Sequence, residues 1–505
     1  MGHDGGMDAD DELRALLAVA TGADDDTKVH LADRLRTHPG TAGLRGRESY
    51  VAADLLRTAG TLADLPEAAR LARVAHDDGV TGAGHLHANL VDQISLYSGR
   101  PQPYGTVLVE HQGDVVQPPV DPDVDDDARR ALGVPPLAEL RAEAERSSRD
   151  LARERAATPG LLPRGQRFCR VWTDPDPAVL RARRAAEGAA AWADGDILTF
   201  VADSTVPVTV SPTFPLWSYE VERGLQVLQV RVERLAEALV TYTFVPAGGA
   251  ARTGTRGAHD GRFRGSDGPP ELRSNDPLRG TLTDHVVDTA DFGGRPVSVY
   301  LPPGHRPSDG TPVVYATDGN MLAPYARRLD AAIEDGICPP VVVVGAHAAP
   351  ADHVHGNQRA LEYLAGFDPA RFDAHQRFFV DELAGWAERT LGVPADRERR
   401  AVFGCSDGGG HALTVARLHA DRFAHVIACS TGMPPDPQFR WDVDGAPFVH
   451  LCAGTLEGGF HQATEAWAAF LHLVGARHHF TERVAGPDLV QWAEELPHAL
   501  HRAWG

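Results

Sequence analysis

Arg400-Ala401-Val402-Phe403-Gly404-Cys405-Ser406-Asp407-Gly408-Gly409-Gly410 is the stretch that decides the fold, together with His411-Ala412-Leu413-Thr414-Val415-Ala416-Arg417-Leu418 behind it. A short apolar run ends in Gly-Cys-Ser-Asp-Gly, and apolar residues then recur at helical spacing. The pattern G-x-S-x-G recurs by chance, but here it sits between a strand and a helix. That is the context in which a serine is thrust out at a sharp turn. Such a turn holds the serine in a strained backbone conformation, and small neighbours avoid a clash. The helix start behind it offers free N–H groups and the positive end of a dipole. The plainer alternative is a glycine-rich turn whose serine caps a helix.

Outward from this turn, residues 281–505 alternate strand and helix patterns. The strand candidates are PVSVYLPP (296–303), PVVYATDG (312–319), PPVVVVGAH (339–347), RAVFGCS (400–406), HVIACSTG (425–432), PFVHLCAG (447–454) and HHFTERVAG (478–486). The run PPVVVVGAH is apolar without alternation, as in a strand buried on both faces of a parallel sheet. The alternation predicts a doubly wound, mostly parallel sheet with its site beyond the carboxyl ends of the strands. If Ser406 is a nucleophile, the N–H of Asp407 is one oxyanion donor, and the loop Asp318-Gly319-Asn320-Met321 supplies a second through Gly319 or Asn320. An acid is expected after the serine, and Glu457, following PFVHLCAG, is well placed. Its alternative is an exposed loop carboxylate.

Upstream the texture changes twice. Residues 1–155 read as a helical domain, with amphipathic spacing in DELRALLAVA, YVAADLLRTAGTLADL and LPEAARLARVAHDD. Residues 160–246 carry short runs rich in Val, Thr, Tyr and Phe, several alternating with polar residues, which predicts a small central β-sandwich. Residues 247–280, rich in Gly, Arg, Asp and Pro, read as a linker or an ordered surface loop. The chain is thus expected to be multidomain: an N-terminal α-helical domain, a central β-sandwich and a C-terminal α/β domain.

The residues of 290–505 resemble the enterochelin-esterase and esterase D group of α/β-hydrolases. The resemblance rests on VSVYLPP, YATDG, Arg359 with Glu362-Tyr363, the turn GCSDGGG, AGTLE, and a Trp-containing terminal helix. The β-rich segment is similar to the sandwich that precedes the catalytic domain in enterochelin esterases. The resemblance implies a serine hydrolase of small esters or lactones, siderophore esters among them, with Ser406 as nucleophile and the positions of Arg359 and Glu362 lining the substrate site. Arg359 and Glu362 alternatively form a surface ion pair. One departure is serious. The family's last strand ends in Gly-Gly-His-Asp, whose histidine is the general base. Here the stretch is Ala485-Gly486-Pro487-Asp488, and proline can neither accept nor donate that proton. His461, in Gly458-Gly459-Phe460-His461, is the substitute candidate. His347, His353 and His355 follow another strand, and His498 and His501 lie on the final helix. The alternative is an inactive hydrolase domain kept as a ligand-binding or protein-interaction scaffold.

The first 150 residues resemble a bacterial helical domain to which no activity is attached, through His76-Asp77, Asp92, Gln102-Pro103-Tyr104-Gly105-Thr106 and Pro119-Val120-Asp121-Pro122. This polar set either forms a binding site or serves as caps and buried hydrogen bonds, and the second is the expectation. The domain is also the candidate surface for a protein partner or self-association.

Across 505 residues the chain carries 70 acidic and 49 basic residues, a net charge of −21. That excess argues against nucleic acid, which is bound by clustered Lys and Arg. No stretch approaches the ~20 apolar residues of a membrane span. The N-terminus MGHDGGMDADDELR lacks the basic and apolar parts of a secretory signal. Five scattered cysteines show neither a disulfide framework nor metal-ligand spacing. A cytoplasmic location, a small-molecule ester substrate and no metal or other cofactor are expected.

Overall fold

The computed structural model describes residues 9–20, 23, 25–111, 114–247, 260–307, 309–352, 356–436 and 439–505. The chain divides into two compact units, residues 1–173 and 174–505.

In the first unit, helices Ala9–Ala20, Asp25–Thr37, Gly46–Ala59, Leu65–Asp77 and Ala83–Tyr97 bury a common leucine- and alanine-rich face. The polar set of this region is internal structure. The fully buried Asp92 accepts from the Tyr104 and Thr106 amides at 2.7 and 2.6 Å and from Thr106 Oγ1 at 2.7 Å. Gln102 Oε1 accepts from the Val107 amide at 2.8 Å, and its Nε2 donates to Pro118 O at 3.1 Å. Asp92 therefore ties the loop after the fifth helix to that helix. Asp92→Ala leaves three buried donors unmet, and a loss of about 3 kcal/mol is expected in denaturant unfolding of this unit.

The second unit begins with two antiparallel sheets. One joins Leu225–Val232, Ile197–Asp203 and Ala191–Asp194, with Tyr219–Glu222 on the first of these. The other orders Gly261–Arg264, Leu239–Pro246, Val208–Pro212 and Phe214–Trp217. Phe200 of the first sheet meets Phe214 and Tyr242 of the second at centroid distances of 5.7 and 5.2 Å. The strand Gly261–Arg264 falls within 247–280. Its sequence, GRFR, has too little apolar content to be read as a strand; its ladder with Leu239–Tyr242 supplies what the composition lacks. Residues 248–259 of that segment lie outside the described residues.

Eight strands form the sheet of the C-terminal domain: β1 Thr281–Thr289, β2 Gly293–Leu301, β3 Val313–Ala316, β4 Val342–Ala346, β5 Arg400–Cys405, β6 His425–Cys429, β7 Phe448–Gly454 and β8 His478–Arg483. Their order is β1-β2-β4-β3-β5-β6-β7-β8. The β1–β2 and β2–β4 pairs are antiparallel, and every later pair is parallel. The sheet is therefore mixed. Strand β1 had no apolar signature because it is a polar edge strand, with Val286 65% exposed.

Side-chain alternation on the central strands feeds two cores. Val313, Tyr315, Val342, Val344 and Val402 pack with Phe378, Phe379, Leu413 and Trp467. Val314, Val343, Ala401 and Phe403 face the other way, against Leu322, Tyr325, Leu329, Leu496 and Leu500. Five helices matter below: α1 Leu322–Glu334, α2 Gln358–Tyr363, α3 Asp407–Leu418, α4 Gly459–Leu473 and α5 Leu489–Trp504. Strand β3 lies between β4 and β5, so the connections leaving it diverge. Its carboxyl end is the crevice where sites form in open sheets.

Candidate active site

Ser406 stands between β5 and α3 with φ 57° and ψ −129°. This conformation is strained for any residue but glycine. Two contacts hold it. Ser406 N–H donates to Cys429 O on β6 at 3.0 Å, and Gly409 N–H returns to Ser406 O at 2.9 Å. The glycines are required for space: a Cβ on Gly404 would lie 2.0 Å from Gly408 O, and one on Gly408 2.3 Å from Thr317 Oγ1. The serine side chain is partly exposed and does not cap the helix.

The oxyanion candidates are brought together by Arg359 on α2. Its Nε and Nη2 donate to the two oxygens of Asp318 at 2.7 and 2.8 Å, and its Nη1 donates to Asp407 Oδ2 at 2.7 Å. One guanidinium thus fixes the loop after β3 to the first residue of α3. Burial opposes the Arg359 charge, but the Asp318 hydrogen bonds and the two carboxylates outweigh it and push its pKa up. Asp318 has φ 53°, and its N–H reaches the Tyr363 hydroxyl at 3.1 Å. Gly319 packs directly on Gly345 at the end of β4, where a Cβ would meet Gly345 O at 2.0 Å. Asn320 Oδ1 accepts from the Ala348 amide at 3.2 Å. The Asp407 N–H, first in its helix, has no helical acceptor.

Arg359 and Glu362 are not partners of each other, and Glu362 does not face this site. It is wholly buried, bridged by Arg295 at 3.0 and 2.9 Å and by Arg371 at 2.9 Å. The expected substrate contact is thus a core ion cluster, and no local signal announces it because Arg295 lies 67 residues upstream. His411, five residues after Ser406 on α3, also turns inward, with its Nε2 3.1 Å from His375 Nδ1. Burial draws both imidazoles down, His375 to about 3.

Glu457 lies just beyond β7, two strands from Ser406. Its Oε1 accepts from Ser430 Oγ and from the Gly454 amide, both at 2.8 Å. Ser430 in turn accepts from Trp492 Nε1 at 2.7 Å. Among the described residues Glu457 Oε2 has no hydrogen-bond partner. Burial pushes the carboxyl up to about 7, against these hydrogen bonds, and Asp488 adds to the rise. The folded pKa lies above the ordinary 4.5, so the favoured form is the protonated one. The associated stability is complete below pH 4.5 and is lost as pH rises through 7. Glu457→Gln is therefore expected to gain about 3 kcal/mol on the parent between pH 4.5 and pH 8 in parallel unfolding curves.

His461 does not join Glu457. It is buried on α4, and its Nε2 lies 3.0 Å from Glu482 Oε2 on β8. His347 Nε2 is 2.8 Å from Ser298 Oγ, and burial lowers its pKa. His498 and His501 sit on α5, and His353 and His355 lie outside the described residues. Pro487 occupies the loop between β8 and α5. That loop is anchored by Leu239 N–H on Val484 O at 2.8 Å, and Thr213 fills the space a Cβ on Gly486 would take. Among the described residues no imidazole bonds Ser406. A cleft lined by Gly432, Pro434, Glu457, Gly459, Phe460, Gln462 and Ala463 opens beside the serine. Gly432 connects the two: its N–H donates to Ser406 O at 3.3 Å, and a Cβ there would lie 3.5 Å from Asp407 N.

Among the described residues no group of three or more His, Cys, Asp or Glu is placed to hold a metal ion, and no helix is long and apolar enough to cross a membrane.

Residues 293–500 match the family model Esterase, described as "Putative esterase". The match runs from β2 into α5 of the eight-stranded domain. Among solved structures, the ferric enterobactin esterase of Salmonella typhimurium matches with a TM-score of 0.50 at 18% identity, over 62% of this chain and 95% of that one. The enterobactin esterase of Shigella flexneri, in the presence of enterobactin, gives 0.46 at 18%, over 61% and 92%. A ferulic acid esterase gives 0.38 at 19%, over 45% and 98%. At 18% identity the Salmonella typhimurium match speaks for the fold alone.

Proposed function

We propose that the C-terminal domain is a serine-type hydrolase of small esters or lactones, siderophore-like esters included, whose rate is held down by Pro487 at the position of the family's base. The observation that carries this reading is the strained Ser406, kept at φ 57° between two glycines that admit no side chain. Strain of this kind costs about 1–3 kcal/mol and persists where the surrounding structure imposes it, commonly at active sites. In the reaction Ser406 attacks the ester carbonyl, and the Asp407 N–H with the Gly319–Asn320 loop binds the developing oxyanion. Glu457 stands where the acid of a triad is expected. Without an adjacent base the hydroxyl is a weak nucleophile, and a residual ~10³–10⁴-fold advantage over water is what binding and an oxyanion hole supply.

The experiment is turnover of p-nitrophenyl butyrate by the full chain and by Ser406→Ala. Slow hydrolysis that vanishes in the variant supports the reading; equal rates in both contradict it. A second reading, an inactive scaffold, is favoured by one observation: His461, the substitute base, is engaged by Glu482. Equal rates would support that second reading.

A further inference from the structure

The cleft beside Ser406 has an unusual charge balance. Its walls are Gly432, Pro434, Phe460 and neighbouring small residues; Gln462 is neutral, and Glu457 is the one ionisable group among them. Among the described residues that line it, none is a cation. Arg359, the nearest guanidinium to the oxyanion loops, is committed to Asp318 and Asp407. Arg483 on β8 is committed to Glu495 at 2.7 Å. Glu457 itself has one oxygen held by two donors and the other without a partner among the described residues, in a side chain 7% exposed. At pH 8, above the value of about 7 to which burial raises it, this group is ionised, and a carboxylate so poorly compensated projects its field into the adjoining cleft, because low-dielectric walls screen it little. The chain's net charge of −21 has the same sign.

We infer that Glu457 makes this a charge-selective acyl site, taking esters whose acyl group is uncharged or positively charged and turning away anionic ones. The inference rests on the hydrolase reading above and narrows its substrate class. Esters of dicarboxylic acids and polyanionic metal–catecholate complexes fall on the disfavoured side, and esters of amino or quaternary-ammonium acids on the favoured side. The apolar walls at Pro434 and Phe460 suit the methylene chain between the ester and such a cation.

The test uses three p-nitrophenyl esters of similar length at pH 8: the butyrate, the monoester of succinate, and the 4-trimethylammonio-butyrate, whose nitrogen cannot attack the ester. Rates are corrected with Ser406→Ala and normalised to hydroxide hydrolysis. The expected result is a kcat/KM at least tenfold higher for the cationic than for the anionic ester, carried mainly by KM. In Glu457→Gln the ratio falls to about two, whatever happens to the absolute rate. Gln462→Lys, at an exposed cleft position, lowers or inverts the preference without touching Glu457. Equal rates for the two charged esters, or a preference that survives Glu457→Gln, overturn the inference and leave the hydrolase reading standing. The same comparison is run in Pro487→His. Absence of Ser406-dependent turnover in both chains overturns the hydrolase reading and the inference together.

Discussion

Pro487→His is expected to raise kcat/KM for p-nitrophenyl butyrate at least 100-fold, about 2.7 kcal/mol of transition-state stabilisation. The reason lies in the state of Glu457. In a complete triad the acid accepts from one imidazole nitrogen while the other takes the serine proton. Here Glu457 has Oε1 satisfied twice and Oε2 without a partner among the described residues, so the acceptor for that imidazole is in place. The loop that would carry the ring is held by Leu239 on Val484 and by Thr213 against Gly486, so its path does not depend on the proline. The measurement is steady-state kinetics of parent, Pro487→His and the double variant with Ser406→Ala. A gain that disappears with Ser406 assigns the imidazole to the serine. A variant that folds and gains nothing would mean that the loop carries position 487 away from Glu457.

The second large effect concerns Arg359. Arg359→Ala removes one side chain but leaves two carboxylates, Asp318 and Asp407, both at the oxyanion loops. Asp318 is 7% exposed and paired bidentately. Breaking such a pair from one side costs about 3–5 kcal/mol, since the remaining charge is left without compensation. The loop after β3 is then no longer tied to the start of α3, and the donors lose their register. A fall of more than 100-fold in kcat accompanies the loss in Tm, with a smaller change in KM, because the oxyanion is bound more tightly in the transition state than the ester is in the ground state. Arg359→Lys keeps the charge but cannot span both carboxylates, and it should recover stability better than rate. Thermal unfolding beside kinetics separates the two contributions.

The elbow was legible in the sequence because its requirements are local. A strand, two glycines and a helix within twenty residues specify the turn, and PPVVVVGAH announces a buried strand by composition alone. The position of Glu457 followed from order along the chain. Partners from distant segments were not legible. Nothing near His461 signals Glu482, 21 residues on, and nothing near Glu362 signals Arg295 or Arg371. Asp318 reads in the sequence only as part of the oxyanion loop, and only folding shows that it and Asp407 share one guanidinium. Edge strands such as β1 and Gly261–Arg264 escaped because half-exposed ladders need little apolar content.

The claim that Ser406 is a nucleophile is tested most directly by a fluorophosphonate probe, read by intact mass and peptide mapping. Slow, stoichiometric labelling of Ser406 is expected in the parent, faster labelling in Pro487→His, and none in Ser406→Ala. A parent and a Pro487→His variant that both remain unlabelled over hours, while folded, would contradict it.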